Sequence, residues 1–97
     1  MFISMNRFVI HRGQSEQFES RWQERNAFMQ GVPGFLRARL LKLDDTHYTA
    51  YTEWESEAAF RAWSHSDTGR RCNSLRMPEG VLADIPHLES WQVVQEA

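Results

Sequence analysis

The segment Thr52 to Asp67, TEWESEAAFRAWSHSD, contains the end of a strand, the cap of a helix and two tryptophans flanking the junction. Strand alternation places Tyr48, Ala50, Thr52 and Trp54 on one face, because successive β side chains point to opposite sides. Ser56 is then positioned to cap a helix, and Glu57 in the first turn suits the positive end of the helix dipole. Within that helix Ala59, Phe60 and Trp63 recur at spacings of three and four, so they share the face that a helix lays on a sheet.

The stretch just upstream completes a hairpin. Phe35 to Leu43 and His47 to Trp54 read as strands, and the polar Asp44-Asp45-Thr46 between them is short enough to make the pair antiparallel. Arg37 and Arg39 share one face, solvated or at a subunit edge, and His47 lies exposed at the turn. Further upstream, Phe2 to Ile10 is a strand that is largely apolar on both faces, with Phe2, Ser4, Asn6, Phe8 and Ile10 on one of them. Gly13 and Gln14 turn the chain, and Ser15 is expected to cap a helix reaching about Gln30. Its buried stripe is Phe18, Trp22 and Met29, and Arg25 projects between them, either with its stem along the edge of the stripe or as a binder of an anion. Gly31-Val32-Pro33-Gly34 must end that helix.

Downstream of the opening segment, Ser66-Asp67-Thr68-Gly69 interrupts or bends the second helix. An irregular stretch from Arg70 to His87 is expected next, carrying Pro78, Gly80 and Pro86; its length suits a lid or a binding loop. Leu88 to Val94 closes the fold as a strand with Trp91 and Val93 on one face. The order strand, helix, strand, strand, helix, strand is an α+β, ferredoxin-like split βαβ arrangement, a four-stranded antiparallel sheet with both helices on one face. Residues 1–97 are expected to form one domain. The opposite sheet face also needs cover, and a second copy of the same sheet supplies it, so a homodimeric α/β barrel with a cavity in each subunit is expected.

Composition narrows the function classes. The chain has 97 residues, a net charge of -2 and its charges interspersed, so neither nucleic acid nor an anionic membrane surface is an expected partner. No run approaches the ~18 apolar residues of a membrane span. The single Cys72 cannot form an intramolecular disulfide, and no signal-type segment is visible, which fits the cytoplasm. The histidines His11, His47, His65 and His87 are dispersed and show no zinc spacing, and there is no nucleophile triad, phosphate loop or dinucleotide fingerprint. The chain is 12% aromatic, with four tryptophans; these rings either fill the core or wall a cavity for a flat ring system.

Two side chains stand out against that background. Asn6 disfavours its strand and its amide must be paired if buried, either with nearby backbone or with something in a pocket. Trp63 sits on the facing helix, as core or as cavity wall. The opening FISMNRFVI, the PGFLRARLL strand and above all WESEAAFRAWSHSD resemble the antibiotic biosynthesis monooxygenase superfamily, and within it the haem-degrading monooxygenases of the iron-regulated surface-determinant type. The resemblance runs to about Asp67 and weakens beyond.

That resemblance implies a dimeric ferredoxin-like barrel that inserts oxygen from dioxygen into a flat aromatic substrate, without flavin or a dedicated metal. It assigns Asn6 to a hydrogen bond with the reacting oxygen and Trp63 to pressing on the ring system. Haem would be substrate and cofactor at once, with its proximal His some ten residues after Trp63, where this chain has Asn73. An amide cannot replace imidazole on iron. Cys72 and His87 are the alternatives, and His65 lies about 200° around the helix from Trp63. Two other functions stay open: a cofactor-free monooxygenase of phenolic or quinol-like substrates, and a non-catalytic dimeric module that binds a small aromatic ligand.

Overall fold

The central strand β1 (Phe2–Val9) lies between β3 (His47–Trp54) and β4 (His87–Gln92), and β2 (Phe35–Asp44) flanks β3 on the other side. All three pairings are antiparallel, giving the order β2-β3-β1-β4. The computed structural model describes residues 1–74 and 77–97, without the side chains of Asn73 and Ser74. Helices α1 (Ser15–Asn26), α2 (Glu57–His65) and α3 (Asp67–Ser74) complete the chain, and the helices pack on one sheet face. The ferredoxin-like arrangement expected from the element order is therefore the one observed.

Register explains how the helix-facing side of the sheet is built. Phe2 pairs with Trp54 and Phe8 with Tyr48, while between them Ser4 pairs with Thr52 and Asn6 with Ala50. Two pairs of large rings thus bracket two pairs of small or polar residues. The rings seed two separate clusters. One gathers Phe8, Phe18, Trp22 and Tyr48 around α1, and the other gathers Phe2, Met29 and Trp54 with Phe60 and Trp63 from α2. Between the clusters the small pairs leave a trough in the sheet.

Local chemistry sets the element ends. Ser56 accepts a hydrogen bond from the Ala59 N–H at 3.1 Å, the cap expected for α2. Ser15 does not cap α1: Gln14 holds the cap position, and the Ser15 hydroxyl donates instead to the Asp45 carbonyl, 3.0 Å away, tying the helix start to the β2–β3 turn. The helix is also shorter than the expected run to Gln30, because a 3₁₀ turn takes over at Ala27–Met29. The Tyr48 hydroxyl donates to Glu19 on α1, and burial holds its pKa above the ordinary tyrosine value.

The stretch from Arg70 is not irregular as expected, since Arg70 to Ser74 belong to α3. Ser66 is the reason. Its hydroxyl donates to the Trp63 carbonyl at 2.6 Å, closing α2, and accepts from the Gly69 N–H at 3.1 Å, opening α3. Gly69 packs so tightly that a Cβ there would overlap the Trp63 carbonyl and crowd Ser64. Because those are backbone atoms, Gly69→Ala should cost at least the ~1–3 kcal/mol typical of overpacking, read as a lower urea midpoint. The last strand also differs from expectation: β4 spans His87–Gln92, leaving Val93 outside it, and Trp91 pairs with Ile3 on the face away from the helices.

The β2–β3 turn carries a compact polar knot. Asp44 accepts hydrogen bonds from the Thr46 and His47 N–H groups, both at 2.9 Å, and its Oδ1 also lies 3.0 Å from the Thr46 hydroxyl and 2.9 Å from His47 Nδ1. These bonds, the backbone donor of Thr46 foremost and then the His47 ring, hold the Asp44 carboxyl well below its usual range. A depressed carboxylate pKa stabilises the fold above the unfolded-state value and loses that contribution as pH falls toward the folded-state value. Asp44→Asn should therefore flatten the loss of stability below about pH 4, measured as the urea midpoint against pH.

Candidate active-site cavity

The trough between the two aromatic clusters is a cavity of about 320 Å³, at the lower end of the ~300–1,000 Å³ range of small-molecule sites. Its floor is the small pairs of β1 and β3: Ser4, Asn6, Ala50 and Thr52. Trp22 and Arg25 wall it from α1, and Phe60, Trp63 and Ser64 wall it from α2. Leu88 of β4, which pairs with Asn6, closes one side. Asn6 and Trp63, the two residues singled out from the sequence, thus line one cavity from opposite layers of the fold.

The polar atoms of the cavity are unequally satisfied. The Thr52 hydroxyl is committed twice: it donates to the Ser4 carbonyl at 3.4 Å and accepts from the Trp54 indole N–H at 3.1 Å. Asn6 Oδ1 and the Trp63 indole nitrogen, by contrast, are buried with no hydrogen-bond partner among the described residues. An unsatisfied buried polar group costs ~1–3 kcal/mol, so this arrangement suits a site where a ligand supplies the missing partners. The indole N–H can only donate, whereas the amide offers both a donor and an acceptor.

Trp63 is held in place by rings. Its centroid lies 5.4 Å from that of Trp54 and 6.3 Å from that of Phe60, and Trp54 also contacts Phe60 edge-on at 5.6 Å. It also lines a second cavity of about 340 Å³ beside Val32 and Pro33, so its indole is the wall between two spaces. On the opposite side, the Arg25 guanidinium lies 4.3 Å from the centre of the Trp22 ring, within cation–π range.

Arg25 also lines the cavity. Its stem at the edge of the α1 stripe brings it beside Trp22 in the lining, where the anion-binding alternative stays open. The available signal was its position three residues after a buried tryptophan, which puts it on the same helix face.

The other ligand candidates lie elsewhere. His87 pairs with Arg7 and so sits on the sheet face opposite Asn6, lining a different cavity with Met5, Arg7 and Leu41. His65 is exposed on α2, and His47 is engaged with Asp44 at the turn. Cys72 is a free, buried thiol whose Sγ lies 3.8 Å from the Arg25 carbonyl, and it is not among the cavity-lining residues. Asn73 falls in α3, but its side chain lies outside the described residues. The donors that commonly hold haem iron are His, Cys, Met and Tyr side chains, and none of them lines this cavity among the described residues. The described lining of the cavity therefore does not fit an iron-ligated haem. No cluster of metal-binding side chains occurs among the described residues either.

Sheet and helices together define an α+β, ferredoxin-like domain, and the chain belongs to the antibiotic biosynthesis monooxygenase family, whose model matches residues 1–74. A mycobilin-producing haem oxygenase of Mycobacterium tuberculosis is 30% identical over 87 residues, covering 82% of this chain and 83% of that protein. The structure of the M. tuberculosis haem degrader MhuD with two haems in its active site shares the fold, with a TM-score of 0.79, 24% identity and coverage of 100% and 99% of the two chains. A mutant of SnoaB, a cofactor-independent oxygenase from Streptomyces nogalater, superposes with a TM-score of 0.79 at 26% identity, covering 98% of this chain and 94% of its own.

Proposed function

We propose that this chain is a monooxygenase that inserts one atom of dioxygen into a flat aromatic substrate held between Asn6 and Trp63. The observation that carries this reading is the pair of unpartnered buried polar atoms, Asn6 Oδ1 and Trp63 Nε1, in one ring-walled cavity. The substrate is phenolic or quinol-like and supplies its own electrons. In the balanced reaction a ring CH₂ conjugated to a phenolate becomes a carbonyl, one oxygen atom enters the product and the other leaves as water. Carbon loses four electrons and dioxygen gains four. The Trp63 N–H and the NH₂ group of the Asn6 amide donate to the oxygen on which charge develops, Asn6 Oδ1 accepts from a protonated oxygen of the substrate or of reduced dioxygen, and the rings of Trp22, Phe60 and Trp63 exclude water, which strengthens those bonds.

Assembly as a homodimer belongs to the same proposal. The sheet face away from the helices carries Ile3, Met5 and Val9, with Leu41 and Trp91 41% and 52% exposed. A second copy of that face covers it by twofold symmetry. The chain acts as one domain. No described helix is long and apolar enough to cross a membrane. The free Cys72 accords with a reducing cytoplasm.

Haem as substrate is the second reading, favoured by the 30% identity with the mycobacterial haem oxygenase. The donor set of the cavity speaks against iron ligation, so no step is derived through haem. A haemin titration of the protein followed by optical spectroscopy separates the two. The proposed reading expects no saturable Soret shift at one haem per chain. A saturable shift that decays with ascorbate in air would establish the haem reading instead.

A further inference from the structure

Among the described residues that line the cavity, Arg25 is the one that carries a charge. Strands β1, β3 and β4 and helix α2 contribute hydroxyls, one amide, an indole N–H and hydrocarbon. On α1 itself, Glu24 pairs with Arg21 at 3.1 Å, and neither lines the cavity. The Arg25 guanidinium is stacked on Trp22, a second lining residue, which fixes the cation beside an aromatic wall. Trp63 Nε1, in the wall contributed by α2, is a donor with no acceptor. Among the described residues the cavity therefore offers a flat ring a fixed cation, a neutral N–H donor and the Asn6 amide, and no carboxylate.

We propose that Arg25 is a specificity-determining residue that makes this cavity select a phenol in its ionised, phenolate form. The inference rests on the aromatic-substrate reading above and deepens it. A phenolate gives up an electron to dioxygen far more readily than a neutral phenol, so a site that takes up the phenolate, the phenol's proton having passed to bulk water, starts the reaction without a general base. The cavity lining holds no carboxylate or imidazole to serve as one among the described residues.

The sign of the effect makes the proposal testable without turnover. Burial in a ring-walled cavity disfavours charge and raises a phenol's pKa, whereas a cation within ~4–6 Å lowers it by about 1–3 units. Arg25 must win that contest. The probes are 4-nitrophenol, whose phenolate has its own absorption band, and 4-nitroanisole, its methyl ether, which cannot ionise. With wild-type protein the ionisation midpoint of bound 4-nitrophenol should fall by about 1 unit or more below that of free 4-nitrophenol. With Arg25→Met it should return to the free value or rise above it, while 4-nitroanisole binds both proteins alike. Arg25→Lys keeps the charge and should keep the downward direction, which separates loss of charge from loss of packing. A midpoint that rises in wild type, or stays low in Arg25→Met, would overturn the assignment of Arg25 and leave the aromatic cavity standing. Failure of both probes to bind would overturn the aromatic-cavity reading and this proposal with it.

Discussion

Replacing Asn6 with Ala should lower turnover by about 10²–10³-fold while changing the affinity for a flat aromatic ligand only a few-fold. That magnitude is the one found when a single preorganised donor to a developing oxyanion is removed. The asymmetry follows from where Asn6 sits. It is one polar side chain on a floor whose other members are small, and the area for ring contact comes from Trp22, Phe60 and Trp63. Binding therefore draws mainly on the rings. Under the proposed function the Asn6 NH₂ group donates where charge builds up, and an interaction stronger in the transition state than in the ground state appears in kcat and little in KM. Steady-state kinetics beside a binding titration read the two quantities separately. A non-catalytic binding module would show the small affinity change and have no turnover to lose.

Trp54→Ala should remove about 3–5 kcal/mol of stability, enough to leave much of the chain unfolded if the domain has the usual ~5–15 kcal/mol. Trp54 is fully buried at the end of β3 and pairs with Phe2 and Phe35 in the sheet. Its ring packs against Phe35, Phe60 and Trp63, and its indole N–H is satisfied by Thr52. Truncation would open a cavity at the junction of β3 and α2 and strip Trp63 of its main support. Chemical denaturation should show a much lower midpoint. A bound aromatic ligand should restore part of the loss, because binding to the folded state adds to its stability by mass action.

The same junction shows what could be read in advance. The alternation ending at Trp54, the Ser56 cap and the spacing of Ala59, Phe60 and Trp63 are local signals, and each describes the structure found. The face assignment in β1 was also local, since a period of two suffices to put Asn6 beside Ser4 and Phe8. What no local rule supplies is register. The trough exists because Asn6 meets Ala50 and Ser4 meets Thr52 while Phe2 meets Trp54 and Phe8 meets Tyr48, pairings between positions 40 to 52 residues apart in sequence. Register also turns His87 away from the cavity, through its pairing with Arg7. Helix α3 escaped for a different reason: Ser-Asp-Thr-Gly reads as a turn, and only the double use of the Ser66 hydroxyl lets one helix end and the next begin there. For Arg25 the sequence leaves two readings, a stem along the edge of the α1 stripe or an anion binder, because it shows a charge on a helix edge and not what faces it. The structure stacks that charge on Trp22, and both residues line the cavity.

The most direct test of the account is isotopic. The protein would be incubated under ¹⁸O₂ with a panel of polycyclic phenols bearing an oxidisable ring CH₂, and product and water analysed by mass spectrometry. The account predicts one labelled oxygen atom per product molecule and the other in water, with no added flavin, metal or reductant, and a rate that falls sharply in Asn6→Ala. Compounds that bind in the cavity yet yield no product, or a product free of label, would contradict it.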